Sequence, residues 1–84
     1  MLYYLIVCRS LTYAQRTAAA LERAGILART LRSPKQVSSE GCSHCVRVVR
    51  RDLDAALMVL HRAGLEPKRV FAAQSDGSYM EIPL

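Results

Sequence analysis

The sequence predicts an α+β domain in which two helices lie on one face of a four-stranded antiparallel sheet. Three observations predict it. Two amphipathic helical stretches each run into a glycine, each is flanked on both sides by a strand-like segment, and the two sets are near copies of each other. Eighty-four residues suit one domain, 1–84, divided into a β-α-β half at 2–32, a long loop at 32–44, a second β-α-β half at 45–73 and a tail at 74–84. A chain this short buries only about 60–65% of its unfolded surface, so its stability is modest and self-association as a homodimer is compatible with its size.

The first strand is expected at residues 2–8, where Tyr3-Tyr4-Leu5-Ile6-Val7 is rich in strand-favouring side chains. Ser10 then caps a helix by accepting a hydrogen bond from an amide of the first turn. Leu11, Ala14, Ala18 and Leu21 form its apolar stripe, and Gly25 stops it because glycine takes the left-handed terminal conformation without strain. A second strand is expected at 27–31. After the loop, a third is expected at 45–49, where Val46-Arg47-Val48-Val49 is again strand-like. Asp52 stands near the start of the second helix, Leu53, Ala56, Leu57 and Leu60 make its stripe, and Gly64 ends it. A fourth strand is expected at 69–73.

The helix ends are nearly the same words: Leu21-Glu22-Arg23-Ala24-Gly25-Ile26 returns 39 residues later as Leu60-His61-Arg62-Ala63-Gly64-Leu65. Two β-α-β halves give the order βαββαβ, the ferredoxin-like split arrangement. Gln74-Ser75-Asp76-Gly77 is a turn signal. It leads either into a short extra edge strand at 78–82, ended by Pro83, or into a frayed tail.

No apolar run approaches the ~18 residues a membrane span requires. The N-terminus lacks the basic leader and cleavage site of an export signal, so a cytoplasmic location is expected. Three cysteines, an odd number, then read as thiols rather than as a disulfide framework. The net charge of +5 comes mainly from ten arginines spread along the chain, which fits a solvated basic surface or an acidic partner.

The loop from Arg32 to His44 is far longer than a hairpin requires and carries Pro34, Gly41, the pair Ser38-Ser39 and Cys42. In a βαββαβ fold it shares one edge with Cys8, Arg9 and the Ser10 start of the first helix. A helix N-terminus stabilises anions and raises the thiolate fraction of a nearby cysteine, which makes Cys42 the candidate reactive thiol. Cys45 completes Cys42-Ser43-His44-Cys45, a CxxC spacing with three readings. It resolves an adduct on Cys42, shares a metal with it and with His44 or Cys8, or is a strand residue without chemistry. One such pair falls short of four zinc ligands, and a thioredoxin-type motif belongs before a helix, where here a strand follows. No metal and no cofactor are therefore expected. If Arg47 faces solvent, alternation puts Cys45 on that same face and Val46 and Val48 against the helices. Cys8 reads as a core residue.

Ser33-Pro34-Lys35-Gln36-Val37-Ser38-Ser39-Glu40-Gly41-Cys42 followed by Val46-Arg47-Val48 resembles the selenium/sulfur carrier-like family of small bacterial and archaeal proteins. The resemblance extends to Cys8-Arg9-Ser10, the first helix end and residues 54–65, covering roughly 3–73. It implies that Cys42 carries sulfur or selenium as a persulfide or perselenide and that Gly41 is its flexible neighbour. Ser43 stands where the family usually has glycine, and His44 where an aromatic or aliphatic residue is common. A carrier implies a donor enzyme of the cysteine desulfurase or selenocysteine lyase type and an acceptor protein, and is a transfer module rather than a turnover enzyme. Around an anionic cargo, Arg9, Lys35 and Arg47 are candidate counter-charges, Ser10, Ser38 and Ser39 candidate hydrogen-bonding groups, and His44 a candidate base. The alternatives are a ferredoxin-like binding or regulatory module for a metal, small ligand or nucleic acid, and a small thiol redox protein using Cys42 and Cys45. The absence of an aromatic in Val46-Arg47-Val48-Val49 argues against nucleic acid.

Overall fold

The computed structural model describes residues 3–37 and 44–84. In chain order it contains β1 (Tyr3–Cys8), α1 (Leu11–Arg23), β2 (Ala28–Arg32), β3 (His44–Val49), a 3-10 turn (Arg50–Asp52), α2 (Leu53–Ala63), β4 (Arg69–Ala73) and β5 (Tyr79–Ile82). All strands join one antiparallel sheet in the order β2-β3-β1-β4-β5.

Helix α1 begins where the sequence predicts. The Ser10 Oγ accepts a 3.1 Å hydrogen bond from the Tyr13 amide, replacing one of the partners the first turn lacks. Both helices end in the same paired hydrogen bonds. The Ile26 amide donates to the Leu21 carbonyl and the Gly25 amide to the Glu22 carbonyl; 39 residues on, Leu65 donates to Leu60 and Gly64 to His61. Gly25 and Gly64 have φ of 81° and 72°, a region side chains disfavour, so the repeated glycines are required by the repeated cap.

Sheet parity sorts the core. Ile6, Cys8, Val46, Val48 and Val70 face the helices and pack with Ala14, Ala18, Leu21, Leu53, Ala56 and Leu60. Thr17 and Ala20 are buried with them, whereas Leu11, placed in the stripe by sequence, stands half exposed in the first turn of α1. The opposite face carries a second apolar cluster, Leu5, Val7, Cys45 and Phe71, with Val37 buried against it. Val37 reaches that position through a turn in which its amide donates to the Pro34 carbonyl at 3.0 Å.

The sheet has five strands rather than four, because the segment after the Gln74–Gly77 turn forms the extra edge strand and not a frayed tail; its complete order differs from that of a four-stranded ferredoxin-like sheet. Three interactions hold β5 in place. The Asp76 carboxylate accepts from the Ser78 amide and hydroxyl, closing the turn, and these bonds lower its pKa below the ordinary value. The Arg69 guanidinium makes two hydrogen bonds to Glu81, which lowers that carboxyl as well. Ile82 packs against the helix-side core.

Leu60 is fully buried between helix and sheet, while Met58 on the same helix is exposed. Leu60→Ala is therefore expected to lose about 2–5 kcal/mol in urea unfolding, and Met58→Ala well under 1 kcal/mol. Equal losses would contradict this packing.

Candidate functional site: the loop edge beside helix α1

The register of three strands defines the edge at which the long loop is anchored. Cys8, the last residue of β1, stands opposite His44, the first of β3, and His44 stands opposite Arg32, the last of β2. Both ends of residues 33–43 therefore leave the sheet beside Cys8, next to Ser10 and the N-terminus of α1. The first turn of α1 holds no acidic residue of its own to offset the partial positive charge of that helix end. The Lys68 amide bonds the Val7 carbonyl at 3.0 Å, which brings the β4 approach to the same edge.

Four of the site residues expected from sequence, Cys42, Ser38, Ser39 and Gly41, lie outside the described residues. Of the others, Arg9 is exposed and its guanidinium lies 4.9 Å from the centre of the Tyr13 ring, along the first turn of α1. The Ser10 hydroxyl is engaged in the helix cap. His44 is half-buried on the helix-facing row, and Lys35 is exposed. Arg47 is not at this edge: three residues along β3, it stands about 10 Å down the strand from His44. Its guanidinium lies 4.1 Å from the centre of the Tyr3 ring.

The cysteines separate by parity. Cys8 faces the helices, 1% exposed, with its Sγ 3.8 Å from Thr17 Oγ1. Cys45 faces the other way and is 0% exposed within the cluster containing Val37. Opposite faces of one sheet keep Cys45 from sharing a ligand set with Cys8 or His44. Among the described residues, no three His, Cys, Asp or Glu side chains converge as metal ligands. The second histidine, His61, lies on the surface with its Nδ1 2.6 Å from Glu66.

Two features carry no clear sequence signal, one at this edge and one at the far end of the sheet. Val37 is one apolar residue in a polar loop, without the periodicity that identifies core positions. Tyr3 and Tyr79, far apart in sequence, are hydrogen-bonded on the outer sheet face; that bond, with partial burial, pushes the Tyr79 hydroxyl above its ordinary pKa. A buried Ser33 hydroxyl has no hydrogen-bond partner among the described residues.

Fold and edge together define a small α+β domain that anchors a cysteine-bearing loop at the positive end of a helix. The family model described as "Putative Se/S carrier protein-like" matches residues 3–72. The chain belongs to that family. No curated protein and no solved structure matches it. Among the described residues, no helix is long and apolar enough to cross a membrane.

Burial under Val37 predicts that Cys45 resists alkylation in the native protein. In a Cys42→Ala background, Val37→Ala is expected to cost about 2 kcal/mol and to speed labelling of Cys45, followed by peptide mass mapping. An unchanged rate would show that Val37 is not its cover.

Proposed function

We propose that this protein is a cytoplasmic sulfur or selenium carrier that holds the chalcogen on Cys42 and passes it to an acceptor protein. The observation that carries the reading is the register of Arg32, His44 and Cys8, which anchors the ends of the Cys42-bearing loop beside the N-terminus of α1, whose first turn holds no acid. Family membership supports the same reading. A thiolate beside positive charge is both more populated and better able to keep an anionic persulfide.

In the transfer, the Cys42 thiolate attacks the terminal sulfur of a persulfide on the donor's cysteine. A new sulfur–sulfur bond forms on Cys42, the donor's bond breaks, and the donor cysteine leaves as its thiolate. Delivery reverses the roles: an acceptor nucleophile takes the terminal atom and the Cys42 thiolate leaves. Selenium follows the same electron count. Arg9, Lys35 and the loop hydroxyls of Ser38 and Ser39 are the groups we assign to hold the charged cargo, with Gly41 giving the loop its freedom and His44 assisting deprotonation.

Cys45 could end such a cycle by attacking the Cys42 sulfur, which would form a disulfide and release hydrosulfide or hydroselenide. Its burial with Val37 supports restraint of that reaction, and so favours a carrier over a redox pair. We also read β2-β3-β1-β4 as the ferredoxin-like unit, with β5 added beside β4.

Intact mass spectrometry tests the assignment. The reduced protein is incubated with a cysteine desulfurase and cysteine, or a selenocysteine lyase and selenocysteine. The expected product gains one sulfur or one selenium atom, and the gain disappears in Cys42→Ala and persists in Cys45→Ala. Loss of two hydrogens requiring both cysteines, without an added atom, would establish a redox pair instead.

A further inference from the structure

The arginines are spread along the chain, but the acids are not. Residues 27–51 carry six cations, Arg29, Arg32, Lys35, Arg47, Arg50 and Arg51, against the single acid Glu40; the rest of the chain carries six of each sign. Counting Asp52, which closes the turn, the β2–β3 hairpin and the turn after it carry a net +4, so most of the excess of +5 belongs to them.

Within the hairpin, Arg29 and Arg47 stand directly opposite each other, both exposed on the sheet face away from the helices. Like charges in that relation destabilise a sheet. Among the described residues neither is paired with a carboxylate, in contrast to Arg69, which is bonded to Glu81. They line a shallow groove of about 210 Å³ with Leu27 and Val49, and Leu27 is 72% exposed. Strand β2 is also an edge: it pairs with β3 on one side, and among the described residues no strand pairs with it on the other.

We propose that this edge docks an extended, acidic segment of a partner protein, which adds beside β2 and sets carboxylates against Arg29 and Arg47. Strand addition uses both features at once. Backbone hydrogen bonds along β2 give affinity, and alternation places every second side chain of the incoming segment on the arginine face. A carboxylate opposite Arg29 would relieve the repulsion that the isolated hairpin contains, and apolar neighbours would cover Leu27. The other anionic macromolecule, a single-stranded nucleic acid, binds by stacking its bases on open aromatic rings. The hairpin has no Phe, Tyr or Trp, and its His44 is half-buried on the helix-facing row; nearby, Phe71 is buried and Tyr3 lies under Arg47. As the way a carrier holds its donor or acceptor, the surface rests on the function proposed above, and it is tested without cargo.

The test titrates the protein with a synthetic peptide slightly longer than β2, in which Glu alternates with Thr, followed by backbone NMR at low salt. Shifts are expected along Ala28–Arg32 and at Arg47 but not on the outer faces of α1 and α2, with affinity falling as salt rises. Arg29→Gln/Arg47→Gln should weaken binding about fivefold to tenfold. Its thermal midpoint should be unchanged or higher, because the like-charge pair is gone. The same peptide N-methylated on alternate amides, in at least one of the two phases, should fail to bind. Cys42→Ala should bind as the unaltered protein does, so a failure here is separable from a failure of chalcogen loading. The proposal is overturned by an absence of shifts, by binding indifferent to the double substitution or to both methylations, or by tighter binding of an oligouridylate to the same residues.

Discussion

Tyr3 stands opposite Val49 and Cys8 opposite His44, and this register between β1 and β3 determines what each face and edge of the molecule carries. With side chains alternating at every residue, it directs Val46 and Val48 to the helices and Cys45 and Arg47 to the other face. A slip of one residue would drive the Arg47 charge into the helix-side core and expel two buried valines, so the competing register is strongly disfavoured. The same pairing ends the sheet at Cys8, His44 and Arg32, which brings both ends of the Cys42-bearing loop to the start of α1.

Much of the fold was readable because it repeats. The copied words at residues 21–26 and 60–65 specify copied hydrogen bonds at both helix ends, and leucine and alanine at helical spacing specify the buried faces. Ser10 was readable as a cap because a hydroxyl before an apolar run has one economical local use. Two features were not readable in this way: Val37 packs through a tertiary contact that no local period announces, and Arg47 shows its distance from the loop edge only when the register is known. For β5 the turn before it was readable, but the choice between strand and frayed tail was not, because it depends on pairing with β4 and on the side chains of Asp76 and Glu81. Of the candidate site, the anchoring edge was legible from topology alone; Cys42 itself lies outside the described residues.

The two sheet faces divide the work of the fold. The helix side holds most of the apolar core, with Cys8 inside it. The outer side carries a smaller apolar cluster in which Val37 and Cys45 are buried together, and elsewhere bears the opposed arginines. One loop thus connects the two halves of the chain and closes part of the open face. Composition obscures this division, because arginines alone look evenly scattered. Only the position of the acids shows that the charge is concentrated on one hairpin.

Activation of Cys42 by the loop edge beside α1 would show in the pH dependence of its alkylation. Rates of iodoacetamide labelling at Cys42, resolved from Cys8 and Cys45 by peptide mapping, give the thiol's pKa in the native protein. The expected midpoint lies clearly below the ordinary value of about 8.5 and returns toward it on unfolding. A native midpoint at or above that value would contradict an activated thiol, and with it the assignment of Cys42 as the carrying group.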